Sequence, residues 1–522
     1  MTKIEKNNIL NYFCNILNIF NKNKVKDRGP RMKEVKKKSD KVFIISLIVV
    51  FGIVAWGLIS SSTFESAANQ AFSFLVTKFG WFYMLAMSLF VVFAIWIAFS
   101  KYGKIKLGAD DSKPDYGFVS WFAMLFSAGM GIGLVFWGVA EPLNHYVAPL
   151  GMEGGTQAAA NFSMMKSFMH WGLHPWANYS VLALALAYMQ FRKGKPGLIS
   201  SIFIPLIGEE GANGWLGKTI DILTIFATVA GVATSLGLGT LQINSGLNFL
   251  FGVPEVAGIQ IVIVVIVTIL FMLSAVTGLD KGIKFLSNLN VSIAGVLLIL
   301  SIIIGPTLLI FTNLGSGIVS YAKDLVLDIN PFGKDPWYGS WTVFYWAWWI
   351  AWAPFVGTFI ARISKGRTIR EFIFGVLAAP TLASFLWFAT FGTMGIFKGP
   401  EVAARAIEKT ETALFVVMQQ YPLGSIISFV AVLLLCTFFV TSADSATFVL
   451  GMMSSNGDLN PTTKRKLIWG SIQSALALSL MLAGGLKMLQ TASIVAAFPF
   501  AFVMLFAMVS IVKVLRTEKF DK

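Results

Sequence analysis

Residues 344–355 read FYWAWWIAWAPF, with Trp346, Trp348, Trp349 and Trp352 inside seven positions and no charge in the stretch. Tryptophan in a membrane helix ordinarily marks the water interface, where its ring is apolar and its N–H is wet. Four such rings over two turns exceed what anchoring needs. The stretch is one of a series of apolar runs, each long enough to cross a hydrocarbon core of ~30 Å. The 522-residue chain is 56% hydrophobic and only 13% charged, with a mean hydropathy of +0.72. A soluble protein carries about 25% charged residues. The chain is therefore an all-α polytopic membrane protein, since the short alternating segments of a transmembrane barrel are absent.

The sequence predicts 12 transmembrane helices, at 42–60, 76–99, 117–139, 166–190, 219–248, 257–277, 285–311, 340–361, 371–396, 424–450, 467–485 and 490–513. The basic loops KYGKIK, FRKGKP, DKGIK, RISKGRTIR and TTKRK alternate with segments poor in basic charge, such as 61–75, 141–165 and 249–256. That alternation places both termini in the cytoplasm of a multi-pass cell-membrane protein. It also accounts for the net charge of +15 without nucleic acid. Residues 1–41 form a basic N-terminal tail with twelve Lys or Arg against four Asp or Glu, and its KEVKKKSDK run faces anionic membrane lipids. The asparagine-broken ILNYFCNILNIF is no signal peptide, and Met32 is an alternative start. Residues 42–513 form the membrane domain, and 514–522 a short cytoplasmic tail. SGIVSYAKDLVLD, between spans 7 and 8, has helical spacing and is expected along the membrane surface. Cys14 and Cys436 form no disulfide framework.

Span 3 contains FSAGMGIGLVFWG, with Gly129, Gly131 and Gly133 at alternate positions. Glycines spaced by two do not make one packing face. They do let a backbone unwind and expose its N–H and C=O groups, which is tolerable only beside a cavity. Five spans later, the tryptophan stretch ends in Ala353-Pro354, where proline disturbs the preceding turn. Interrupted helices at matching positions of two halves point to a transporter's midplane site. An odd offset inverts the second half, giving repeats over spans 3–7 (about 117–311) and 8–12 (about 340–513), with two added N-terminal helices.

Span 4 carries HWGLHPWANY. On a continuous helix Trp171 and Tyr179 sit about 80° apart, with Trp176 on the neighbouring face. Together with Trp349 or Trp352 they can box a quaternary ammonium, each ring contributing ~0.5–2 kcal/mol. No Asp or Glu falls inside spans 3, 4 or 8 as bounded above, so no counter-ion is expected there. Taken singly, each ring also suits plain packing. Span 10 contains FFVTSADSATF, whose Thr441 and Ser442 offer oxygen to a hard cation or bond their own helix carbonyls. Asp444 suits either an ion role or helix packing.

These stretches resemble the betaine–choline–carnitine transporter family. The likeness is carried by GMGIG (129–133), HWGLHPW (170–176), SLGLGTLQI (235–243), FYWAWWIAWAPF followed by RISKGRTIREF (362–372), and VTSADSATF (440–448), and covers about residues 40–515. It implies a LeuT-like 5+5 inverted-repeat fold, a homotrimer, alternating access and no cofactor beyond Na⁺ as coupling ion. It also implies a substrate box of Trp171, Trp176, Tyr179 and Trp349, with Trp352 next inward and Trp348 beside it. The glycine stretch (Gly129, Met130, Gly131, Gly133) would take the substrate's carboxylate. The main sodium site would use carbonyls of Ser127, Met130 and Phe438 with hydroxyls of Thr441 and Ser442. A second site matches at Thr228 and Phe355, but Val232 stands where betaine carriers have threonine.

Sodium-independent carnitine exchangers of the family carry an arginine in span 5, whereas residues 219–280 hold no Lys or Arg. Choline carriers replace the third glycine by an acid, whereas Gly133 is kept. The resemblance thus implies a Na⁺ symporter importing glycine betaine or a related compatible solute, with choline or carnitine as the alternative. The family's long osmosensing C-terminal helix has no counterpart in IVKVLRTEKFDK. An ion channel lacks its filter motifs, and an enzyme is not expected, because His170 and His174 lack a nucleophile or metal partner in the sequence.

Overall fold

A computed structural model describes residues 30–129, 131–277, 280–327 and 335–518. The basic tail up to residue 29 and the last four residues lie outside it. The main helices are α1 (Pro30–Ile59), α2 (Ser61–Phe99), α3 (Phe118–Gly129), α4 (Ile132–Val147), α5 (Gln157–Trp171) and α6 (Leu173–Ala187). They continue with α7 (Trp215–Phe251), α8 (Ala257–Thr277), α9 (Asp280–Ile304), α10 (Thr307–Leu327) and α11 (Phe344–Ile363). The last three are α12 (Ile369–Phe397), α13 (Gly424–Met453) and α14 (Thr463–Leu515). Among the described residues no strand forms; one isolated bridge, Lys106 to Thr368, ties two loops.

Nine helices among the described residues are long and apolar enough to cross a membrane. The predicted spans 3 and 4 are each broken into two shorter helices. Spans 11 and 12 both lie within α14, whose 53 residues would run about 80 Å if straight, far more than one crossing. The helix is kinked at Gly484 and Gly485, where φ/ψ of 175°/25° and 57°/−137° leave the helical region. Large apolar side chains stay exposed along the outer helices, including Ile48, Leu273, Ile303 and Phe506. Such a surface suits lipid rather than water.

Several bounds differ from the sequence reading. Residues 30–41, taken as tail, form the start of α1. Residues 61–75, taken as an external loop, are helical and begin α2 directly, because SSSTFESAANQ is polar yet contains no helix breaker. Span 7 ends at Ile304, where Gly305-Pro306 cannot continue the helix. Most of SGIVSYAKDLVLD lies in α10, packed against α5 and α12. There Tyr321 is buried, and its hydroxyl accepts the N–H of Leu173 at 3.2 Å, capping α6.

The interior is built around α7, which packs on α14, α13 and α11, and around the contact of α11 with α6. Close approach needs a small residue at Gly231, where an added Cβ would stand 2.7 Å from Trp352 and 3.1 Å from the Ala351 backbone.

After α6 a wide turn over Tyr188–Arg192 meets the end of the chain. Glu518 accepts from Tyr188 Oη (2.5 Å), Arg192 Nη2 (2.7 Å) and Lys193 Nζ (2.7 Å). The Arg192 guanidinium is the main reason the Glu518 carboxyl drops to about 2. A depressed carboxylate contributes where it is ionised, so this latch is complete above the ordinary range and lost as pH falls through about 2. E518A is expected to free the end of α14, so that trypsin cuts after Arg516 several-fold faster at neutral pH. Cleavage at the wild-type rate would show that the latch holds nothing.

Candidate functional site

The site forms where two broken helices meet an unbroken one. The chain leaves α3 at Gly129, and Gly131 has φ −151° and ψ −139° before α4 starts. The predicted break in span 3 is therefore present, with Met130 itself outside the described residues. The N–H groups and the dipole of a helix start favour an anion, and α4 begins here. A second break, unpredicted, separates α5 from α6 at Gly172, with φ −91° and ψ −127°. In that conformation an added Cβ would stand 2.4 Å from the Phe168 carbonyl, so the position suits glycine, and Pro175 lacks the N–H that would continue the helix across the break; HWGLHPW does not form one continuous helix. The 80° relation between Trp171 and Tyr179 therefore does not apply. By contrast, α11 runs unbroken through Pro354, whose carbonyl accepts from Thr358 Oγ1 at 2.7 Å. Proline removes one donor, and tight packing on all sides holds the helix straight across the gap. The expected interruption in span 8 is absent.

The rings nonetheless come together. Trp171 meets Trp349 edge to face at 4.8 Å, Tyr179 meets Trp349 at 6.4 Å, and Trp176 meets Tyr179 at 5.6 Å. Trp348 stacks on Trp349 at 4.9 Å and 13°, and Trp352 follows at 6.5 Å from Trp348. All six are buried. Tyr179 Oη and Trp348 Nε1 have no hydrogen-bond partner among the described residues. Gly133 gives the rings room: its added Cβ would lie 2.7 Å from Trp348 and 3.1 Å from Trp171. Two indoles spend their N–H groups on other helices, Trp349 on the His170 carbonyl at 2.9 Å and Trp352 on the Gly231 carbonyl at 2.7 Å. Trp346, without a role in the sequence reading, stacks on His174 at 4.7 Å.

The expected absence of an acid is overturned. Helix α4 continues past residue 139 to Val147, and Glu141 on it is fully buried. Its Oε2 accepts from Trp171 Nε1 at 2.7 Å, and its Oε1 pairs with His170 Nδ1 at 2.6 Å. His145 Nε2 stands 3.4 Å from the same oxygen. His170 thus has a hydrogen-bond partner in Glu141. Glu141, His145 and His170 bring three donor atoms within 4.8 Å. Zinc ligands at ~2.0–2.1 Å from an ion stand further apart than 2.6 Å, so the arrangement is a hydrogen-bonded pair with a third group alongside. The signal was in the sequence: Gly133, Trp137, Glu141 and His145 recur every four residues on one helix face.

The residues assigned to sodium are placed more plainly. An added Cβ at Gly131 would stand 3.5 Å from Ser442 Oγ, so α13 faces the start of α4. Thr441 Oγ1 donates toward its own helix, with Thr437 O at 3.1 Å and Phe438 O at 3.2 Å, and accepts from Asn290 Nδ2 at 3.0 Å. For Ser127 the description stops at the α3 backbone. Thr228 likewise bonds the Thr224 carbonyl at 2.8 Å, Val232 is buried, and Phe355 packs on Trp352 at 5.5 Å. Asp444 accepts from Ser274 Oγ at 2.7 Å, joining α13 to α8.

Broken helices meeting at a buried aromatic cluster, inside a bundle with a lipid-type surface, define a membrane transporter rather than an enzyme. The family model described as BCCT, betaine/carnitine/choline family transporter, matches residues 41–520. The chain belongs to that family. It is 50% identical over 491 residues to the glycine betaine transporter OpuD of Bacillus subtilis (strain 168), covering 92% of this chain and 96% of that protein. It is 44% identical to the ectoine/hydroxyectoine transporter of Virgibacillus pantothenticus, over 91% and 96% of the two chains. To glycine betaine transporter 1 of Vibrio parahaemolyticus it is 41% identical, over 92% and 94%.

Proposed function

We propose that the protein is a Na⁺-coupled symporter importing glycine betaine or a related compatible solute by alternating access. The observation that carries this reading is the run of buried rings Trp171–Trp349–Tyr179–Trp176 beside Gly133 and the start of α4. Ring faces attract a trimethylammonium, while helix N–H groups attract the carboxylate on the same small molecule. The rings touch in the described conformation, so substrate entry parts Trp171 from Trp349. Thr441, Ser442 and the Phe438 carbonyl would hold sodium together with Ser127 and Met130, and Thr228 with Phe355 marks a second site weakened by Val232. Twelve spans in a LeuT-like pair of inverted repeats, cytoplasmic termini and a homotrimer complete the reading.

A second reading is ectoine transport. It draws on the relative named for that substrate and on ectoine's own pairing of a delocalised cation with a carboxylate. The experiment is uptake of labelled glycine betaine into proteoliposomes under an imposed sodium gradient, with unlabelled choline, carnitine and ectoine as competitors. Uptake is expected to require sodium and to be competed best by betaine. Sodium-independent uptake would end the coupling claim, and stronger competition by ectoine would reassign the substrate. The double variant T441A/S442A should raise the sodium concentration for half-maximal uptake about 10-fold, the size of ~1.4 kcal/mol of lost ligation.

A further inference from the structure

Glu141 is a carboxylate buried in the membrane domain one ring behind the candidate substrate box. It does not face the box directly. The N–H edge of Trp171 points at Glu141 Oε2 (2.7 Å), while the far edge of the same ring reaches toward Gly133, whose added Cβ would stand 3.1 Å from it. The indole therefore bridges the acid and the place where substrate would sit. The acid's other oxygen holds His170 through Nδ1 (2.6 Å), and His170 Nε2 pairs with Thr342 Oγ1 at 3.0 Å. The Nδ1–H tautomer satisfies both bonds, donating to the carboxylate and accepting from the hydroxyl. The His170 carbonyl in turn accepts the N–H of Trp349. One carboxylate thus orients two of the three tryptophans of the box, Trp171 directly and Trp349 through the backbone of His170.

From this geometry we infer that Glu141 is a positioning and specificity-determining residue, acting through the Trp171 ring on the substrate's cationic head. The inference rests on the proposed betaine reading of the box. An anion accepting an indole N–H pushes electron density into the ring, and a more negative ring face holds a quaternary ammonium more strongly. Distance matters as much as charge. A carboxylate inside the box would repel the carboxylate of a betaine and select a plain cation. An acid one ring removed strengthens the ammonium contact and leaves the Gly133 end of the site to the substrate's carboxylate. Both carboxyl oxygens have a partner, Oε2 in the indole N–H and Oε1 in the imidazole, with His145 alongside.

The test uses the full-length protein in proteoliposomes and two competitors of one shape. Glycine betaine carries a trimethylammonium; 3,3-dimethylbutanoate carries a neutral tert-butyl group in its place. E141Q keeps an oxygen acceptor for Trp171 and loses the charge. It is expected to raise the half-saturation concentration for betaine about 5–10-fold, with a smaller change in maximal rate. Its inhibition constant for 3,3-dimethylbutanoate should stay within twofold of wild type. Equal weakening of both ligands would mean that Glu141 merely props the box, and unchanged betaine affinity would remove it from recognition; either result overturns the inference. If E141Q does not yield folded protein, E141D, which keeps the charge but moves it, is read with the same two ligands. Its shorter carboxylate withdraws from Trp171 and should weaken betaine more than the neutral isostere. Should wild-type protein show no saturable betaine uptake, it is the betaine reading that fails, and the variants are not needed to see it.

Discussion

Replacing Trp349 by leucine is expected to reduce glycine betaine uptake about 100-fold or more. Three losses add up at this position. The ammonium loses a ring face worth ~0.5–2 kcal/mol. Trp171 and Trp348 lose aromatic partners at 4.8 and 4.9 Å, each contact worth ~0.5–1.5 kcal/mol beyond its buried area. The His170 carbonyl loses its donor at 2.9 Å, in a site where water does not replace it freely. A hundredfold loss needs only ~2.7 kcal/mol of this total to fall on the substrate-bound state. The measurement is the initial rate of labelled uptake at matched incorporation, with thermal melting of the purified variant as a fold check. Uptake within threefold of wild type from a normally folded W349L would remove Trp349 from the box.

The second large effect is expected at Gly133, from adding a single methyl group. The Cβ of G133A would stand 2.7 Å from Trp348 Cη2, closer than carbon atoms pack. Trp348 cannot easily yield, being stacked on Trp349 on one side and on Phe344 (5.6 Å, 16°) on the other. Overpacking of this kind costs about 1–3 kcal/mol. Here the strain is directed into the rings that would hold substrate, so affinity for betaine should fall about 10- to 100-fold. G52A is the control, since an added Cβ at Gly52 meets nothing within 4 Å. That variant should transport normally and melt no lower than wild type. A G133A protein with unaltered betaine affinity would show that the rings relax around the methyl group and that Gly133 does not shape the site.

What could be read in the sequence, and what could not, follows the reach of each signal. Gly129, Gly131 and Gly133 announce an unwound stretch because few other uses fit glycine at that spacing, and the break is there. The tryptophans of 344–355 and the rings of HWGLHPWANY announce a cluster by number and rigidity, and Trp171, Trp176, Tyr179 and Trp349 do meet. Gly172 was no less visible, but one glycine inside an apolar run does not reveal that its backbone leaves the helical region, in a conformation where a Cβ would strike the Phe168 carbonyl. Pro354 misled in the other direction, since a helix packed on every side tolerates one missing hydrogen bond. Glu141 was lost to a boundary. Hydropathy ended span 3 at residue 139, whereas α4 runs on to Val147. A buried acid satisfied by an indole and an imidazole leaves no mark in a hydropathy average.

The two indole tethers on α11 have a mechanical consequence. Trp349 and Trp352 stand three residues apart, yet one is bonded to the end of α5 and the other to the middle of α7. A displacement of α11 against α5 alone breaks the first bond and spares the second, and a displacement against α7 does the reverse. The helix is therefore held by two clasps that different motions open separately. Whichever neighbour moves first decides which indole is released to turn, so the order of helix movements becomes an order of ring movements.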